Sequence, residues 1–114
     1  MTTHNKYAGE IKASLGGQER VFKLTFERLV HLEDATGKSV MELSRAITEQ
    51  KFKTMDIVEI IYQGLLGAGG KFEKNAVGKM ILDDGIVVST AIASNILASL
   101  FLTKDELSPL VEGE

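Results

Sequence analysis

Few side chains in this sequence are equipped for chemistry, and none sits in a pattern that a reaction could use. There is no cysteine, which removes thiol catalysis and disulfides together. Two histidines are present, His4 and His31. His4 lies in a short polar stretch with no second ligand near it, so a metal would find one donor and nothing else. His31 stands among Arg28, Glu33 and Asp34 on the polar side of a helical repeat. A catalytic or metal role for it needs a nucleophile or further ligands that the surrounding residues do not supply. No serine occupies a Gly-x-Ser-x-Gly elbow. Asp83 and Asp84 place two carboxylates side by side, but adjacent residues on a helix point about 100° apart and do not converge on one cation. The expectation is a protein with no catalytic residue, no cofactor and no metal.

The run Gly64-Leu65-Leu66-Gly67-Ala68-Gly69-Gly70-Lys71 invites comparison with a phosphate-binding loop. That loop needs a glycine five residues before the glycine of its Gly-Lys pair, and Leu65 is there; it needs Ser or Thr after the lysine, and Phe72 is there. These glycines also follow a helical pattern and do not lead from a strand into a helix. They read as a helix end, Gly69 or Gly70 capping it, with Gly64 and Gly67 permitting close helix approach.

Such residues have to be positioned by something, and composition says by one small domain. The 114 residues are 44% hydrophobic and 25% charged, enough for one modest core. The net charge is −3, with the first 24 residues at +2 and the last eleven at −3. No clustered basic face is present, which argues against a nucleic-acid partner. Residues 1–7 are polar and lack the apolar segment of a signal peptide, making the cytoplasm the default location.

The fold class expected is α+β: an N-terminal β-hairpin followed by four to five packed helices, in one domain spanning 9–103. A flexible N-terminus (1–8) precedes it and an acidic tail (104–114) follows. In the hairpin, 9–24, Ile11, Ala13 and Leu15 alternate with polar residues before Gly16-Gly17, and Phe22 and Leu24 alternate after it. A two-residue turn and a four-residue loop over 16–19 both put Phe22 and Leu24 on the Ile11/Ala13 face. Thr25 caps a helix at 26–36 that ends at Gly37 and buries Phe26, Leu29, Val30 and Leu32. Ser39 and Glu42 form a capping box for a helix at 40–49 burying Val40, Leu43 and Ile47, and Phe52 anchors the connector after it. Thr54 caps an amphipathic helix at 55–68, whose Ile57, Val58, Ile60, Ile61, Leu65 and Leu66 lie opposite Asp56, Glu59 and Gln63. A fourth helix, 73–84, buries Val77, Met80 and Ile81 and ends at Gly85.

The last helix, 86–102, carries no charge along its whole length. Acidic and basic residues flank both ends, aromatic residues with polar tips are missing there, and five Ser, Thr and Asn side chains lie within. A membrane span is therefore disfavoured, and protein is expected to cover the helix. Its large side chains are expected to make it the biggest single contributor to the core.

With the elements in order, the stretch 8–102 resembles the gene transfer agent and phage tail assembly chaperone family, also described as small tail tube-associated proteins of tailed-phage-like particles. The carriers are the short hairpin, TFERLVHLEDATG from Thr25 to Gly37, the Gly64-Leu65-Leu66-Gly67-Ala68-Gly69 run, and the Val77 to Gly85 segment leading into an apolar last helix. The chain departs from relatives in using Gly16-Gly17 for an Asp-Gly-type turn and in the β-branched content of the last helix. The resemblance implies a non-enzymatic role in tail assembly, with the tape measure protein and/or tail tube subunits as partners and a homo-oligomer as a possible state. On it rests the expectation that Val88, Ala91, Asn95, Ser99 and Leu102 are more exposed than the Ile92/Ile96/Leu100 side, and contact a second copy or the partner. The competing expectation is that every side of this helix is buried within one subunit. Competing functions are a minor tail or tube protein retained in the particle, or a helical adaptor module unrelated to phage.

Overall fold

The hairpin turn is where the chain first commits itself. Gly16 and Gly17 both adopt positive φ, 66° and 83°, the two-residue turn whose twist matches that of the flanking strands. In the computed structural model, which describes residues 9–101, this turn joins β1 (Glu10–Leu15) to β2 (Gln18–Lys23). Leu15 therefore pairs with Gln18 and Ile11 with Phe22, and the register that the sequence left open is fixed. The segments expected as a flexible N-terminus and an acidic tail lie outside the described residues, as does Leu102.

Five helices and a closing 3-10 turn follow: α1 (Phe26–Thr36), α2 (Val40–Thr48), α3 (Thr54–Gly67), α4 (Lys74–Asp84), α5 (Ile86–Ala98) and the turn at Ser99–Phe101. The architecture is the expected α+β one. Their ends have local causes. Thr25 Oγ1 accepts the Arg28 N–H at 3.2 Å to start α1, and Gly37 closes it at φ 70°. Ser39 and Glu42 exchange both bonds of the capping box, and Glu33 from the preceding helix takes the Val40 N–H at 3.0 Å. The Glu42 carboxyl is held below its ordinary range by the Ser39 backbone N–H first and the Ser39 side chain second. At the end of α3, Gly70 N–H bonds Leu65 O and Gly69 N–H bonds Leu66 O, at 2.9 and 3.0 Å. With Gly69 at φ 95°, this is a Schellman ending.

α3 occupies the middle of the molecule, packed by β2, α1, α4 and α5. Its Ile57, Val58, Ile60, Ile61 and Leu65 are all buried, at roughly 1.5–3 kcal/mol for each large side chain. The expectation that the last helix contributes most to the core is thereby corrected: α5 supplies Ile92, Ile96 and Leu97, but it is one neighbour of the central helix. The glycines of α3 admit a strand as well as the helices expected there: a Cβ on Gly64 would meet Ile96 Cδ1 of α5 at 3.3 Å and one on Gly67 would meet Arg28 Cγ of α1 at 3.2 Å. A Cβ on Gly67 would collide with the Lys23 carbonyl, and one on Gly64 would meet Phe22 Cβ at 3.2 Å, so β2 lies directly on the helix backbone. Arg20 ties the hairpin further, donating to Leu15 O at 2.8 Å and lying over the Phe72 ring at 5.2 Å.

Several expected details are overturned. Phe26 is 82% exposed and Val30 half-exposed, because α1 turns Arg28, Leu32 and Thr36 toward α3 and carries those two outward. Thr54 is the first helical residue of α3 and not its cap; Lys53 is the N-cap, and the Asp56 carboxylate accepts its N–H at 3.0 Å. The last helix stops at Ala98 and tightens into the 3-10 turn, where Ser99 Oγ donates to Ile96 O at 2.6 Å and competes with the helical ladder.

Candidate partner-binding face

Helix α5 is covered on one side only. Ser89, Ile92, Ala93, Ile96 and Leu97 face inward and are buried. Small Ser89 and Ala93 let neighbouring elements come close, which sets the centre of the buried side. Of the five residues expected on the outer side, Val88, Ala91 and Asn95 are exposed, Ser99 is half-buried, and Leu102 lies outside the described residues. Burial on every side is excluded by these three. The free strip is rotated from the expected one and also takes in Val87, Ser94, Ala98 and Phe101. The signal for these was present: at 100° per residue they fall opposite Ser89, Ile92 and Ile96. The expected strip lies only about 100° from the Ile92/Ile96/Leu100 side, not opposite it, and Leu100 is partly buried against the core.

The strip borders a crease between α2 and α5. One part, about 210 Å³, lies among Ser44, Thr48, Ser94 and Phe101; the next, about 360 Å³, lies among Gln50, Phe52, Val87 and Thr90, with Ile47 lining both. Within the crease Ser44 Oγ is buried and has no hydrogen-bond partner. No charged side chain lines either part. Strip and crease offer an uncharged surface with small residues at its centre and large apolar ones at its ends, which suits close packing of another helix and offers nothing for acid–base or redox chemistry.

The ionisable groups are engaged elsewhere. Asp56, Glu59 and Gln63, expected opposite the apolar stripe of an amphipathic helix, are all buried, Glu59 to 3% exposure. Each is met by a residue from a distant segment. Lys38 Nζ lies 3.0 Å from Asp56, Lys74 Nζ 2.8 Å from Glu59, and Arg28 donates to Gln63 Oε1 at 3.1 Å. Gln63 Nε2 in turn donates to the second Glu59 oxygen at 2.8 Å. The result is a polar seam that fastens α1 and α4 to α3, with its carboxylates committed to structure. Asp84 is likewise committed, accepting the Gly16 N–H at 2.8 Å and so holding the hairpin turn. His31 is exposed, with Glu27 at 4.0 Å. Among the described residues no group of three or more His, Cys, Asp or Glu is placed to hold a metal. Among the same residues no helix is long and apolar enough to cross a membrane.

Residues 8–103 match the family described as phage tail tube protein, GTA-gp10. No curated protein and no solved structure matches the chain.

Proposed function

The chain belongs to the family described as phage tail tube protein, GTA-gp10, and from that premise we propose that it serves tail morphogenesis without catalysing a reaction. In this reading it is a tail assembly chaperone of a phage or gene transfer agent, acting in the cytoplasm and binding the tape measure protein, tail tube subunits, or both. The observation that carries it is the uncharged outer strip of α5, with Val88 half-exposed and Ala91, Ser94 and Asn95 beside it. A helical partner laid along such a strip approaches closely at the small residues and buries its own apolar side chains at the ends. Each square ångström of apolar surface so removed from water contributes about 25 cal/mol.

A second reading is a structural subunit retained in the finished tail, and the family's own description as a tail tube protein favours it. Mass spectrometry of purified particles separates the two. Stoichiometric copies in the particle support the subunit; absence from particles, with presence in assembling cells, supports the chaperone. The face itself is tested with Ala91→Arg and Asn95→Arg, which place a cation on an exposed strip. Both should fold as the parent does by circular dichroism and weaken capture of tape measure segments about tenfold or more. Unchanged capture of both tape measure segments and tail tube subunits would remove α5 from the partner interface.

A further inference from the structure

We propose that copies of this chain associate head to tail, the outer ridge of α1 on one copy seating in the groove between α3 and α4 of the next. The ridge is Phe26 and Val30, one helical turn apart, with Phe26 82% exposed. An aromatic side chain held this far into solvent is the type of residue that anchors protein contacts when a pocket receives it. The groove has about 390 Å³ of free space, with Met55, Val58 and Leu82 for walls. Gly78 also lines it, and a Cβ built there would meet no other atom within 4 Å. Leu82 is 67% exposed on its rim. A phenylalanine side chain fits a space of that size and would cover the exposed Met55 and Leu82 while itself leaving water.

Charge selects this occupant. Glu27 and Asp34 flank the ridge and both are exposed, whereas Lys74 and the exposed Lys79 line the groove. Lys74 also serves Glu59 at 2.8 Å, and Glu27 meets Arg28 at 3.5 Å, so Asp34 and Lys79 are the pair expected to meet across the contact. Apolar ridge enters apolar groove, and acidic flank meets basic rim. None of the ridge residues lines the groove of its own chain, so the two surfaces are distinct. A contact between two different patches repeats from copy to copy, closing into a ring or continuing as a filament according to the rotation between neighbours. The contact is separate from the α5 strip and does not depend on what binds there.

The test is the mass of the full chain by sedimentation across a wide concentration range, for the parent and for Phe26→Asp and Leu82→Lys. The parent is expected to grow beyond a dimer. Each variant alone is expected to weaken association at least about tenfold, and an equimolar mixture of the two to form a 1:1 dimer that grows no further. That dimer pairs the intact ridge of one variant with the intact groove of the other. Both positions are exposed, and matching circular dichroism and melting for all three proteins shows that folding is not the variable. Asp34→Lys and Lys79→Glu give an independent check: each alone weakens association, and mixing the two variants restores growth beyond a dimer, because the exchanged charges meet at one contact and the original charges at the next. A parent that stays monomeric throughout overturns the proposal. So does association that survives both apolar variants, or a mixture that restores nothing, since a two-fold contact through one patch behaves in that way.

Discussion

Single residues decide how closely the elements of this protein approach. Gly67 is the sharpest case, because β2 places the Lys23 carbonyl where a Cβ would have to go. Gly67→Ala is expected to destabilise the fold by about 3 kcal/mol, the upper end of the range for overpacking, since backbone and not a flexible side chain must give way. Urea titration of parent and variant reads this through the extrapolated unfolding free energies, and a loss under a quarter of that size would show that the hairpin is free to move. Ser89 acts in the opposite sense. It is fully buried in α5, and its hydroxyl has no partner, which leaves a polar group desolvated without compensation. Ser89→Ala is expected to stabilise the protein by about 1 kcal/mol, seen as a higher melting temperature. Destabilisation would mean that the hydroxyl is satisfied in solution. Neither effect can be read from residue type, since Gly67 sits in a run of glycines and Ser89 among other small residues.

At the scale of elements, helix ends and the polar seam carry the specificity. The Ser39–Glu42 capping box sets where α2 begins, and Ser39→Ala is expected to cost about 1 kcal/mol. The Glu42 pKa is lowered from 4.5 in the folded chain. The stability it contributes is therefore fully present above that value and is lost as pH falls through the folded pKa. Glu42→Gln should flatten the acid limb of the melting-temperature profile below about pH 4.5, and a variant profile parallel to the parent's would count against the assignment. In the seam, Lys74→Met leaves the buried Glu59 carboxylate with the Gln63 amide as its remaining partner. A cost of about 2 kcal/mol is expected, below the roughly 3–5 kcal/mol of a fully enclosed pair because water reaches the lysine. Adding Glu59→Gln should recover most of it in a double-mutant cycle. The helical period of α3 was legible, but the use of its polar side was not, because the cations that cover Asp56 and Glu59 come from positions 38 and 74.

For the whole molecule, α3 is the axis and the other elements differ in how completely they are spent on covering it. The hairpin and α4 are fastened to each other at Gly16 and Asp84, whereas α1 and α5 each keep an outward apolar side. Those two surfaces, with the groove walled by Met55 and Leu82, remain for contact with other chains once the core is closed. The sequence determined most of the elements: alternation around Gly16-Gly17 produced the hairpin, capping residues produced the helix starts at Phe26 and Val40, and an uncharged last helix required protein cover. These are local properties, set by backbone preference and by periodicity within a dozen residues. Only the tertiary structure decided which sides of the helices are covered. Phe26 faces water and Glu59 does not, although residue type assigns them the other way, because burial depends on what distant segments bring to each side. A lysine aimed at a carboxylate makes its burial tolerable, and an arginine reaching across to Gln63 joins the buried Leu32 on the inward side of α1; neither partnership leaves a mark in the spacing of nearby residues.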